Sequence, residues 1–223
     1  MVLYDFLAPA YDPAFKAIYL PFRTRALELL PAMGGASVLD LACGTGQNFP
    51  LLTPRIGGWG KIIGIDISSG RLRRARRRVL RATASRARLP NVSLVQMDAT
   101  RLSPAAFDAQ TGLSSVDFVV CAYGFTTMRG WKAAFSSSFG LLKPGGGYLI
   151  HDIDAPRRNF HSFAVEMATG CDFSQKVWQP LQTGCPDFRM DYLDPSAHLF
   201  GGRLFVAYGT KPSTTTRCSL CPS

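Results

Sequence analysis

The stretch Val38-Leu39-Asp40-Leu41-Ala42-Cys43-Gly44-Thr45-Gly46 runs from a short apolar strand into a turn of small residues. A strand is expected over 36–41, and a helix from near Gly46. Gly44 and Gly46 let the backbone turn tightly and let a ligand approach the main chain. The helix start behind them offers unpaired N–H groups and the positive end of a dipole. Such a turn accepts a phosphate or a carboxylate, and a dinucleotide-binding turn looks similar.

The chain on either side of this turn alternates between strand and helix. Lys61–Ile67 reads as a second strand ending at Asp66, with Ser68 and Ser69 as N-caps of a helix to about Ala87. Val92–Met97 is a third strand, ending at Asp98, and Val116–Ala122 a fourth. Trp131–Leu142 reads as a helix closed by a turn at Lys143-Pro144-Gly145-Gly146-Gly147, and Tyr148–Ile153 as a fifth strand. This order predicts an α/β fold with a mainly parallel sheet and helices on both faces. After Pro156 the pattern weakens to a helix over 159–169 and strands at Phe188–Leu193 and Arg203–Tyr208. Before the first strand, Tyr4, Phe6, Leu7, Tyr11, Phe15, Ile18, Tyr19 and Phe22 form an aromatic-rich amphipathic pattern that Pro21 is expected to split into two helices. The division read from this is a helical N-terminal lid (1–34), one α/β domain (35–211) and a frayed tail (212–223).

Asp66 lies twenty residues beyond Gly46, at a strand end where a carboxylate can take both hydroxyls of a ribose. Asp98 ends the third strand, where an adenine amino group could be bound. With Asp40, these carboxylates converge on the crevice in which open α/β sheets hold ligands.

The constellation resembles the class I S-adenosylmethionine-dependent methyltransferases. The matching stretches are VLDLACGTG (38–46), GIDIS (64–68), VQMDATRL (95–102), FVVCAYGF (118–125) and LLKPGGGYL (141–149). With LYDFLAPAYD (3–12) and FGGRLFVAYGTK (200–211), the chain resembles the quinone and phospholipid methyltransferase subgroup. The resemblance implies the Rossmann-like class I fold with strand order 3-2-1-4-5-7-6, strand seven antiparallel, and S-adenosylmethionine as cofactor. It implies that Asp40 and the loop from Ala42 through Gly44 to Gly46 hold the methionine part of the cofactor. Asp66 would bind the ribose hydroxyls, with Ile67 also in the cofactor site, Asp98 and the Ala99 backbone would bind the adenine, and Cys121 with Tyr123 would line the sulfonium end. Tyr11, Tyr19 and Arg23 would belong to a lid, with Arg23 a carboxylate partner. Ala42 stands where the family usually has glycine. A dehydrogenase is disfavoured because the turn reads ACGTG rather than G-x-G-x-x-G.

Methyl transfer from a sulfonium is an in-line displacement that chiefly needs alignment and a dry site. Candidates for a base are Asp152, Tyr123 and His151, with Asp154 and His161 behind them. Alternation puts His151 and Asp152 on opposite sheet faces. The expected acceptor is a small hydrophobic or amphipathic molecule: a lipid amine, a quinone-like ring or a secondary metabolite. The same cofactor site also suits a non-methylating enzyme that guides a cyclisation or rearrangement.

The 223 residues are 47% hydrophobic and 18% charged, with 21 glycines and 15 prolines, which excludes a disordered or low-complexity chain. The net charge of +10 favours an anionic partner. Arg71–Arg88 holds nine arginines, while Leu72, Ala75 and Val79 recur at helical spacing toward the core. The arginines therefore cover an outer face, either simply solvated or in peripheral contact with an anionic membrane. Nucleic acid is disfavoured because no aromatic residues interleave them. No apolar run approaches the length of a bilayer span and no leader pattern opens the chain, so a cytoplasmic, reduced protein is expected, with membrane association left open. Cys218 and Cys221 form a lone pair, too little for a zinc site, and no metal is expected.

Overall fold

A computed structural model describes residues 19–84, 91–155, 160–193 and 202–213. Tyr11, Arg86, Arg88, Cys218 and Cys221 lie outside the described residues, as does the His161 side chain. The described chain builds a seven-stranded sheet in the order β3-β2-β1-β4-β5-β7-β6. Its strands are β1 (Ser37–Leu41), β2 (Lys61–Asp66), β3 (Asn91–Gln96), β4 (Val116–Ala122), β5 (Leu142–Asp154), β6 (Arg189–Tyr192) and β7 (Arg203–Thr210). β1 to β5 pair in parallel, and β7 runs antiparallel to both β5 and β6. The expected fold class and strand order hold.

Each sheet face buries alternate strand residues under helices, as the period of two requires. On one face Val38, Ile62, Val120, Leu149 and Val206 meet helix α1 (19–28), helix α2 (Phe49–Ile56) and helix α3 (Ser69–Ala84) through Leu27, Phe49, Leu52, Leu72 and Ala75. On the other, Leu39, Ile63, Val119, Ile150 and Phe205 meet helix α4 (Pro104–Thr111), helix α5 (Trp131–Gly140) and helix α7 (Gln179–Gly184) through Phe107, Phe135, Phe139 and Leu181. Helix α6 (Phe160–Thr169) follows β5. Short 3-10 turns, Ala99–Arg101 and Phe125–Thr127, follow β3 and β4.

Several local expectations need correcting. Residues 19–28 are helical through Pro21, so that proline does not divide the pattern there. The helix after the glycine turn begins at Phe49 rather than near Gly46, because Ala42, Gly44 and Gly46 all have positive φ and cannot continue a right-handed helix. Helix α5 stops at Gly140, and the Lys143–Gly147 turn is instead part of β5, which bulges against β4 between Val116 and Phe118. The bulge is held from across the fold. Gly145 N–H donates to the Lys211 carbonyl and Lys211 N–H to that of Gly146, each at 2.8 Å. The Lys211 ammonium also reaches the carbonyls of Phe139, Gly140 and Leu142 at 2.8–3.2 Å, capping the C-terminal end of α5 with a cation. Helices α4 and α7 were not expected.

Candidate functional site

The C-terminal ends of β1, β2 and β4 place the loop 42–48, Asp66 and Tyr123 along one edge of the sheet. In that loop Gly46 is obligatory. At φ +73°, a Cβ there would stand 2.4 Å from Cε2 of the buried Phe49 ring. A Cβ at Gly44 would enter open space, and Gly44 N–H donates to Asp66 Oδ2 at 2.8 Å. Ser68 N–H donates to Asp66 Oδ1, also at 2.8 Å, so the carboxylate ties the two turns together. Arg78, on α3, donates from Nε to the Thr45 carbonyl at 2.9 Å, so one member of the arginine-rich helix braces this loop rather than facing water.

Ala42 (φ 56°) and Tyr123 (φ 58°) are the two non-glycine residues with positive φ among the described residues. They end adjacent strands. A left-handed L-residue costs roughly 1–2 kcal/mol, and such residues persist where the surroundings over-determine them, commonly at ligand sites. The small side chain at 42 also matters. A Cβ at Gly124 would lie 2.9 Å from the Ala42 Cβ and 2.8 Å from Cys121 Sγ, so this corner has no spare room.

Behind the loop lies a buried polar chain. Asn48 Nδ2 donates to Asp40 Oδ1 at 2.8 Å, and Arg23, on α1, donates from Nη1 to Asn48 Oδ1 at 2.6 Å. Two atoms of this chain are buried without a partner: Asp40 Oδ2 and Arg23 Nε. A buried carboxylate oxygen or guanidinium N–H left unpaired is costly, and such atoms mark places where a ligand completes the bonding. Burial pushes the Asp40 carboxyl up to about 7, against the lowering effects of Asn48 and Arg23. Burial likewise lowers Arg23. One free carboxylate oxygen and one free guanidinium N–H, joined through a single asparagine, form a receptor for a zwitterion: a cation at Asp40 and an anion at Arg23.

Arg23 also stands 4.9 Å from the Tyr123 ring centre, and the Tyr19 and Tyr123 rings lie 4.8 Å apart. The Tyr123 hydroxyl is 2.5 Å from His151 Nε2, and His151 Nδ1 is 2.8 Å from the Phe205 carbonyl. A carbonyl only accepts, so Nδ1 carries the proton and Nε2 accepts the Tyr123 O–H. Burial pushes His151 down to about 3 and Tyr123 well above its usual value, so both are neutral near pH 7. Tyr19 and Arg23, expected in a lid, and Tyr123 and His151, expected as base candidates, thus form one cluster. Asn48 was missed, although its position two residues after Gly46 and at the N-cap of α2 was a usable signal.

Other expected residues sit elsewhere. Asp98 caps the turn after β3, accepting from Thr100 N–H and Oγ1, bonds that hold it below the usual carboxylate range. Ala99 is buried beside it and Ile67, next to Asp66, is 56% exposed. Cys121 is fully buried in the core, and burial pushes its thiol up. Asp152 is also fully buried, accepting from Thr126 Oγ1 and N–H and from Ile153 N–H; burial raises it to about 6. Asp154 accepts the Tyr192 hydroxyl at 2.6 Å. No group of three or more metal-ligating side chains occurs among the described residues.

Residues 38–146 match the model of a family described as a methyltransferase domain. The chain carries a class I S-adenosylmethionine-dependent methyltransferase domain. This domain is 26% identical over 159 residues to a demethylmenaquinone methyltransferase of Listeria monocytogenes, an alignment covering 69% of the chain and 62% of that protein's length. It is 28% identical over 231 residues to the 2-phytyl-1,4-naphtoquinone methyltransferase of Thermosynechococcus vestitus, covering 98% of the chain and 86% of that protein. Among solved structures it resembles the Haemonchus contortus phosphoethanolamine N-methyltransferase 2 bound to phosphomonomethylethanolamine and S-adenosylhomocysteine. The TM-score is 0.67 at 15% identity, over 95% of the chain and 60% of that protein, a likeness of fold. S-adenosylmethionine is the cofactor of the methyltransferase domain. Its amino-acid tail, an ammonium and a carboxylate on one carbon, is the kind of zwitterion that the unpaired atoms of Asp40 and Arg23 fit.

Proposed function

We propose that the protein transfers the methyl group of S-adenosylmethionine to a quinone-like, hydroxylated aromatic acceptor. The observation that carries this reading is the Asp40–Asn48–Arg23 chain, with its two unpaired atoms, beside the neutral Tyr123–His151 pair. Asp40 would take the ammonium and Arg23 the carboxylate of the cofactor, Asp66 and Ile67 the ribose, and Asp98 with Ala99 the adenine. When bound, the cofactor supplies a methyl group already activated by a sulfonium. The chain's own part is alignment and exclusion of water. The Tyr123 ring already has one cation against it, the Arg23 guanidinium 4.9 Å from its centre.

A neutral Tyr–His pair is a weak base. It suits an acceptor whose hydroxyl is itself acidic, such as a phenol or naphthol, better than an aliphatic alcohol. Tyr123 would orient that hydroxyl and take its proton while passing its own to His151 Nε2, which the bond from Nδ1 to the Phe205 carbonyl holds in place. Asp152, accepting from Thr126 Oγ1 and N–H and from Ile153 N–H, would hold the turn after β4. The quinone-directed names of the two relatives support the acceptor class.

The test is release of S-adenosylhomocysteine together with a mass gain of one methyl on a reduced naphthoquinone. His151→Gln keeps an acceptor for Tyr123 and a donor for Phe205 but cannot take a proton, and should lower kcat by roughly 10²-fold with little change in KM for the cofactor. Cofactor binding without S-adenosylhomocysteine release in the presence of such acceptors would instead favour a rearrangement catalyst on the same fold.

A further inference from the structure

We infer that helix α6 seats the protein on an anionic lipid bilayer through Phe160, Phe163 and Met167. These residues fall at i, i+3 and i+7 of α6, on one stripe, and are 87%, 54% and 72% exposed. Among the described side chains of the same helix, the buried ones are polar: Ser162 is fully buried, and the buried Glu166 accepts the Phe173 N–H at 2.8 Å. A helix of a water-soluble fold turns its apolar face to the core. Among the described side chains of α6 the order is reversed, with Ser162 and Glu166 turned inward and Phe160, Phe163 and Met167 projecting outward.

The geometry favours a bilayer over other occupants. At 54–87% exposure the three side chains are not enclosed as the wall of a small-acceptor pocket would be. Full burial of three such side chains would cover roughly 400 Å² per chain, well short of the interface a stable dimer of two copies needs. Apolar residues beside basic ones are the chemistry of an interfacial helix. Arg157 and Arg158 lie just before α6 in the sequence, and the whole chain carries +10. Bilayer seating by α6 is a different claim from the Arg71–Arg88 face: α3 exposes Arg73, Arg76, Arg77 and Arg81 but one large apolar residue, Leu80.

The position of α6 gives the contact a use. It leaves from the end of β5 and returns through Phe173, whose carbonyl accepts the Ala155 N–H at 3.0 Å and whose side chain packs in one cluster with Ile153, Tyr19 and Tyr123. The seated helix would therefore hold the Tyr123–His151 edge of the sheet at the lipid surface.

The test is co-sedimentation of the full chain, without cofactor or acceptor, with vesicles of equimolar phosphatidylcholine and phosphatidylglycerol, and with phosphatidylcholine alone. The wild type should bind the anionic vesicles, and Phe160→Ser/Phe163→Ser/Met167→Ser should bind at least tenfold more weakly, with Tm and S-adenosylhomocysteine affinity unchanged. Single Phe160→Ser should show an intermediate loss if the triple variant folds poorly. Unchanged binding in these variants would overturn the proposal, as would loss confined to Arg73→Gln/Arg77→Gln/Arg81→Gln, or a wild type that self-associates through this stripe and ignores vesicles. Because no acceptor is present, the outcome is independent of the methyl-transfer reading.

Discussion

Lowering the pH from 7 to 5 should weaken binding of S-adenosylhomocysteine, which carries the same amino-acid tail as the cofactor, through Asp40. The ligand ammonium needs Asp40 ionised, while burial pushes that carboxyl up to about 7 in the free protein. The ionised fraction then falls from about one half at pH 7 to about one hundredth at pH 5, and affinity with it by up to roughly 50-fold, while the ligand amino group stays protonated. Isothermal titration calorimetry across this window reads the slope. Asp40→Asn should bind weakly at every pH and show no slope. The variant has an opposite effect on the empty protein. A folded pKa raised above the unfolded value means that stability is fully present below the unfolded pKa and is lost as pH rises through the folded one. The rise from 3.8 to about 7 corresponds to roughly 4 kcal/mol at most at high pH. Asp40→Asn should therefore raise the apo Tm at pH 8 and leave it little changed at pH 4. An affinity that is flat between pH 5 and 7, or a slope that survives in Asp40→Asn, would refute the assignment of Asp40 to the ammonium.

The strained loop makes two further predictions. Ala42→Gly relieves a left-handed alanine and should stabilise the protein by roughly 1 kcal/mol, read as a higher urea midpoint; a lower midpoint would show that the Ala42 methyl contact outweighs the strain. Gly46→Ala drives a methyl into the buried Phe49 ring at a left-handed position and should cost roughly 2–4 kcal/mol, together with cofactor binding, by denaturation and calorimetry.

The first half of the sheet was legible because its strands announce themselves locally: each apolar run ends in an Asp or a glycine turn, so the edge carrying the site follows from β1, β2 and β4 alone. The Lys143–Gly147 segment misled because its composition is that of a turn, while its pairing is decided by Lys211, far along the chain. Helix α4 had a readable start, with Ser103 capping at the Ala106 N–H before Pro104, but too little apolar periodicity behind it to be noticed. In the site, Asp40 and Arg23 were legible as types, yet nothing in their spacing revealed that Asn48 joins them. Hydrogen bonds between residues 25 positions apart leave no periodic trace. The left-handed state of Tyr123 was equally silent, because its signature residue, glycine, comes one position later.

The strand order has a consequence for synthesis. β6 has β7 as its one neighbour in the sheet, and β7 is wedged between β6 and β5. As the chain emerges in order, β1 to β5 can assemble side by side, but residues 189–192 must wait, edge unpaired, until 203–210 have left the ribosome and slid in against β5. The same late strand delivers the Phe205 carbonyl that sets the His151 tautomer. A nascent polypeptide arrested before β7 would thus hold most of a nucleotide-type sheet, yet lack the fastening that orients its reactive edge.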